Sequence, residues 1–191
     1  MQRTGSFGRR RIVFLIVSLL VLGISIASDL ITKAYFSTLD GADGQHFNLN
    51  VPVISDFFYF TYTVNEGAAF SFLHDVSWGQ TFFKVLTVIA FGFFVFLYVT
   101  AIKKNYAWLQ IALAFIMGGT IGNFVDRLAF NYVRDFIGFI FGDYYFPVFN
   151  LADTFLTVGV IMFVVHYFFI DENAIFKLKK KEQVQNEEAD V

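Results

Sequence analysis

Four aspartates and two asparagines are spaced in a way that could do acid/base chemistry. Asp29 closes the first apolar run of the chain, Asp126 closes the third and Asp153 opens the fourth. Asp135 lies in the loop joining the last two runs. A carboxylate half-removed from water is costly unless it is paired or protonated, so several at one depth mark a candidate site. Asn123-Phe-Val-Asp126 and Asn150-Leu-Ala-Asp153 repeat one pattern, and a three-residue spacing places Asn and Asp on one helical face. Asparagine can donate to a carboxylate or a peptide carbonyl and can also accept. Two carboxyls held together cannot both ionise cheaply, so one keeps its proton. The ionised member can take a proton from water while the neutral one donates to a carbonyl oxygen, which is the division of labour that splits peptide bonds. On the residues alone, Asp126 and Asp153 are the favoured pair, because both sit at the ends of apolar runs.

Other chemistries are poorly supplied. There is no Cys, so there is no thiol nucleophile, disulfide or cysteine-ligated metal. There is no HExxH, and His46, His74 and His166 are scattered, so no metal or other cofactor is expected. Ser28 and Ser55 have no spacing that pairs them with Lys33 or Lys84. A net charge of −2 gives no basic footprint for nucleic acid. Asp29 and Lys33 form an i,i+4 pair and read as structural. Asp40, Asp43, Asp56, Asp75 and Asp143 fall in polar loops and read as solvated.

The elements that must hold these carboxylates are set by hydropathy. Of 191 residues, 57% are hydrophobic, 28 are Phe and 16% are charged, with a mean hydropathy of +0.59. So short a chain cannot bury that much apolar surface in water, and the reading is an integral membrane protein. Apolar runs at about 12–28, 82–102, 107–125 and 154–170 approach the roughly 20 residues that cross a bilayer as helix. Arg3, Arg9, Arg10, Arg11, Lys103, Lys104, Lys177, Lys179, Lys180 and Lys181 share one side if the runs alternate, which predicts that both termini are cytoplasmic. The N-terminal run resembles a cleavable signal but is long for one, and it reads as a retained helix. Gly118 and Gly122 have the GxxxG spacing that lets helices approach in lipid. Within an outer loop at about 37–79, Phe57 to Val64 alternates, placing Phe58, Phe60, Tyr62 and Val64 on one face of a strand. Phe47, Leu49, Val51 and Val53 form a weaker run, with Pro52 pointing to an edge. The fold class is therefore an all-α membrane protein, a four-transmembrane-helix bundle with a small extracytoplasmic β-sheet. It reads as one domain over 1–170 followed by a polar cytoplasmic tail at 171–191.

Five blocks along the chain resemble the bacterial lipoprotein signal peptidase family, signal peptidase II. They are Asp29-Leu-Ile-Thr-Lys33, Asn65-Glu-Gly-Ala-Ala-Phe-Ser71, Gly118-Gly-Thr-Ile-Gly-Asn-Phe-Val-Asp-Arg127, Val133-Arg-Asp-Phe-Ile137 and Phe146-Pro-Val-Phe-Asn-Leu-Ala-Asp153. They come in family order and span about residues 12–170. The resemblance implies an aspartic endopeptidase of the bacterial cell (inner or cytoplasmic) membrane. Its substrates would be lipid-modified prolipoproteins, cut before the lipidated cysteine at the outer face, and its fold would be four helices with a β-cradle. It moves the catalytic pair to Asp135 and Asp153. Asn65, Asn123, Arg127 and Asn150 match positions that line the substrate site, and Asp126 is expected to support the site together with Arg127.

Two residues depart from the family pattern. Leu30 stands where Gln is frequent, and Arg134 stands where Val is common. A cation beside Asp135 would favour its ionised form, which makes Asp135 the water-activating base and Asp153 the protonated acid. The competing readings are a small proton- or ion-coupled transporter, since membrane carboxylates often mark ion paths, and a non-catalytic anchor for a partner.

Overall fold

A computed structural model describes residues 4–39, 51–67 and 78–171. Phe47, Leu49, His46, His74, Asp40, Asp43, Asp75, most of the polar tail and the end of the Asn65–Ser71 block lie outside the described residues. Among the described residues, four helices are long and apolar enough to cross a membrane. They are α1 (Thr4–Leu39), α2 (Gly79–Lys104), α3 (Ala107–Phe130) and α4 (Leu151–Val165), the last continued by a π-helical turn, His166–Ile170. Asn105 ends α2 and Asn131 ends α3, each in the left-handed conformation that asparagine tolerates. Lys103 and Lys104 in the last turn of α2 complement its dipole.

Two of the helices run on through a buried carboxylate beyond the spans read from hydropathy. The first continues past Ser28 to Leu39, so Asp29 and Lys33 lie inside α1 rather than at its end. The third continues to Phe130 and encloses Asp126. Hydropathy stops at a charge, but these charges are buried in mutual contact and do not need to leave the helix.

Helix α3 is the centre of the bundle. Its apolar stretch is 61% buried, against 11–17% for the other three, whose outer faces present Leu, Ile, Val and Phe as a lipid-facing surface would. Small residues bring the neighbours close. A methyl group on Gly118 would meet Ser25 Cβ of α1 at 2.7 Å. One on Gly122 would collide with the Asp29 carboxylate, and one on Gly119 with the Ala152 carbonyl of α4. The Gly118/Gly122 pair therefore seats α1, and Gly119 beside it seats α4.

One end of the bundle carries an antiparallel sheet of β1 (Val51–Ile54), β2 (Phe58–Asn65), β3 (Val133–Phe141) and β4 (Tyr144–Tyr145), in that order. Strand β1, with Pro52, is an edge, as the proline requires. The sheet is not confined to the first loop, because its longest strand, β3, comes from the second. Phe36 of α1 stacks on Phe136 of β3 at 4.4 Å and meets Phe60 of β2 at 4.9 Å, which fastens the sheet to the bundle.

The β2–β3 register contains a bulge that reverses the expected facing. Phe60 pairs with Ile137, but Thr63 pairs with Asp135, so three steps on β2 match two on β3. Paired residues share a face. The extra residue at Thr61–Tyr62 thus moves Thr63 and Asn65 onto the face of Phe58, Phe60 and Asp135 and turns Val64 away. The uninterrupted alternation read from Phe57 to Val64 does not hold past Thr61.

Candidate active site

Asp153 is held at the start of α4 by a reciprocal cap. Asn150 is the extended residue before the helix; its Oδ1 accepts from Asp153 N at 2.9 Å, and Asp153 Oδ2 accepts from Asn150 N at 3.3 Å. The Asn150-x-x-Asp153 spacing is therefore a capping box, not two residues on one helical face as the sequence suggested. In the first turn of α4 the helix dipole favours negative charge. Asp153 Oδ1 also accepts from Asn123 Nδ2 of α3 at 2.7 Å.

Asp135 is carried by β3 to the same place. Its Oδ1 accepts from Asn150 Nδ2 at 2.6 Å and its Oδ2 from Asn65 Nδ2 at 3.0 Å. Asn65 reaches it because the β2 bulge turned that side chain onto the Asp135 face. Asn150 thus contacts both carboxylates, and its Nδ2 also lies 3.1 Å from Asn123 Oδ1. Burial, then the Asp153 charge, push the Asp135 carboxyl up to about 7 against the lowering effect of its Asn65 and Asn150 hydrogen bonds.

This shift runs opposite to the one expected from a cation beside Asp135. Arg134 does not lie over Asp135, because alternate residues of a strand face opposite sides. Its guanidinium binds Asp126 instead, with Nη2–Oδ1 at 2.7 Å and Nε at 3.2 Å from both oxygens. Burial and the Asp153 charge therefore favour the protonated form of Asp135 over the ionised form expected from Arg134.

Asp126 does not partner Arg127. Adjacent helix residues point about 100° apart. Asp126 is fully buried between Arg134 and Lys33, whose Nζ lies 3.5 Å from its Oδ2. Lys33 also binds Asp29 Oδ2 and Asn123 Oδ1, each at 2.8 Å. The other Asp29 oxygen accepts from Ala152 N at 2.9 Å, so a carboxylate of α1 satisfies a free N–H at the start of α4. Asp29 and Lys33 thus sit behind the site, and nothing in local sequence signals a contact between residues so far apart.

Arg127 faces the other way. Its Nη2 is 3.4 Å from the Gly67 carbonyl, its guanidinium lies 5.4 Å from the Phe83 ring centre, and its buried Nε has no hydrogen-bond partner. It lines, with Asp135, Asp153, Asn65 and Asn123, a cleft of about 860 Å³. The end of β2, the 146–149 segment and Thr154, Leu156, Thr157 and Val158 of α4 also line it. Its polar groups include both carboxylates, and its apolar lining comes mainly from Phe146, Pro147, Val148 and Phe149 with Leu156 and Val158 of α4. Among the described residues, no group of three or more His, Asp or Glu is placed to hold a metal ion.

Comparison with known proteins shows the family. The family model described as Signal peptidase (SPase) II matches residues 7–169. The chain is 41% identical over 147 residues to the lipoprotein signal peptidase of Listeria welshimeri, covering 77% of this chain and 89% of that protein. It is 38% identical over 180 residues to that of Pseudomonas putida, covering 93% and 94%. A bacterial membrane enzyme structure obtained by the in meso method at 2.3 Å resolution superposes with a TM-score of 0.67 at 29% identity, covering 86% of this chain and 93% of that one. With its four apolar helices, its terminal sheet and a match over nearly its whole length, this chain belongs to the signal peptidase II family of membrane peptidases.

Proposed function

We propose that the protein is an aspartic endopeptidase that removes the signal peptide from diacylglyceryl-modified prolipoproteins, cutting before the lipidated cysteine. The carrying observation is the pair of carboxylates in one cleft, both bound by Asn150, with Asp135 at about 7. Asp153, ionised, takes a proton from water as its oxygen attacks the scissile carbonyl carbon. Asp135 gives its proton to the carbonyl oxygen, forming a neutral tetrahedral diol. Asp153 then returns a proton to the amide nitrogen, the C–N bond breaks, and one diol hydroxyl gives its proton to Asp135 as the carboxylic acid product forms. Asn65, Asn123 and the free Nε of Arg127 supply donors and acceptors for the peptide backbone in the extended cleft.

The apolar lining of Phe146, Pro147, Val148, Phe149, Leu156 and Val158 suits the acyl chains of the substrate, and the polar groups around the carboxylates suit the peptide. The basic residues Arg9–Arg11, Lys103 and Lys104 lie at the opposite end of the helices from the sheet, which by the positive-inside rule supports a site at the outer face of the bacterial inner membrane with both termini cytoplasmic. The test is cleavage of one precursor with and without its diacylglyceryl group by purified protein, read by product mass. Cleavage of the lipidated form alone is expected; equal cleavage of both would refute the assigned substrate.

A further inference from the structure

We propose that Arg134 is a positioning residue for Asp135, acting through Asp126; this rests on the assignment of Asp135 above. Three donors of this one residue converge on the Asp126 carboxylate. The backbone N lies 3.0 Å from Oδ2, Nε lies 3.2 Å from both oxygens and Nη2 lies 2.7 Å from Oδ1. A planar fork on a planar carboxylate fixes direction as well as distance. The chelate therefore pins the start of β3 to the last turns of α3, and Asp135 is the next residue along. The Arg134 carbonyl also lies 3.3 Å from Asn150 Nδ2, the amide that binds Asp135 Oδ1. The guanidinium rests 4.7 Å from the Phe130 ring centre, and the residue takes no part in lining the cleft.

Charge gives Arg134 a second effect. Asp29, Asp126, Lys33 and Arg134 are all buried and balance as two anions and two cations. The neighbouring charges are committed elsewhere. Arg127 faces the cleft, Asp135 and Asp153 are bound by asparagines, and Lys84 of α2 donates to Asn131 at 2.7 Å. Because Arg134 satisfies Asp126, Lys33 stays 3.5 Å from that carboxylate and 2.8 Å from Asn123 Oδ1. Lys33 thereby fixes the Asn123 amide, whose Nδ2 holds Asp153. Without Arg134, Lys33 is the one cation among the described residues in ion-pair contact with the two buried carboxylates, and the pull on it is away from Asn123.

Arg134→Val is expected to lower kcat about 10- to 100-fold, because small displacements of reacting groups are costly, while KM stays within about twofold of the parent. Arg134→Lys keeps the charge and loses the fork, so its kcat falls between the two. Arg134→Val with Asp126→Asn restores charge balance and is expected to turn over faster than Arg134→Val alone. These variants, purified and checked for a cooperative melt, are compared on the diacylated precursor alongside Asp135→Asn. Activity in Asp135→Asn refutes the reading of the site itself. An inactive Asp135→Asn beside an Arg134→Val with parental kcat, or with a raised KM and unchanged kcat, overturns the role of Arg134. So does a double variant no faster than Arg134→Val, and should Arg134→Val not fold, Arg134→Lys with parental kcat overturns it equally.

Discussion

The Asn150 side chain donates to Asp135 Oδ1 at 2.6 Å while the same residue caps the helix that begins with Asp153. One asparagine therefore fixes the separation of two carboxylates carried by a strand and a helix. Asn150→Ala is expected to lose most activity, and to lose roughly 1 kcal/mol of stability through the cap. Activity and thermal unfolding measured on one preparation separate the two effects. Parental activity in this variant would mean that the bridge does not organise the pair.

The Asp135 carboxyl, at about 7 in the fold against 3.8 for a free side chain, makes catalysis and stability depend on pH in the same window. As the acid of the pair, it loses its proton as pH rises through about 7, so kcat is expected to fall on the alkaline side. The folded state also binds more protons than the unfolded chain between about pH 4 and 7, so this group's contribution to stability is full below pH 4 and is lost as pH rises through 7. The difference in melting temperature between parent and Asp135→Asn is expected to change across that interval and to be flat outside it. Because Arg134 faces away, Arg134→Val is expected to leave the alkaline limb in place while lowering the plateau.

Lys33 is the cation shared by Asp29, Asp126 and Asn123. Lys33→Met leaves a buried carboxylate uncompensated, which typically costs about 3–5 kcal/mol. Adding Asp29→Asn is expected to recover part of that loss. A double variant no more stable than Lys33→Met would show that charge balance is not what Lys33 supplies.

Glycines on α3 provide a steric test. Gly119→Ala meets the Ala152 backbone and Gly122→Ala meets Asp29, whereas Gly92→Ala meets nothing within 4 Å. The first two are expected to lower stability by about 1–3 kcal/mol. Gly92→Ala, in a helix interior, is expected to be neutral or to gain up to about 1 kcal/mol. Equal melting temperatures for all three would contradict the close packing of α1 and α4 on α3.

Much of this architecture is legible in the sequence, because lipid demands long apolar helices and composition alone reveals them. Of the candidate pair, Asp153 was legible from the Asn–Asp spacing at a helix start, whereas the residues alone favoured Asp126 as its partner and only the family resemblance pointed to Asp135. What was not legible has physical reasons. Strand β3 is buried on both faces from Val133 to Phe136, so it lacks the alternation that betrays a strand. The bulge at Thr61–Tyr62 is a property of register and leaves no local mark. A three-residue Asn–Asp spacing suits both a shared helical face and a capping box, and only the extended backbone of Asn150 decides between them. Arg134 adjoins Asp135 in sequence, yet pleating sends it to Asp126.

The central claim is that Asp135 and Asp153 together perform the hydrolysis. Its most direct test is the single-turnover cleavage rate of a diacylglyceryl-modified precursor by Asp135→Asn and by Asp153→Asn, each shown to be folded. No detectable product from either variant is predicted. Cleavage by either at a rate near that of the parent would contradict the account.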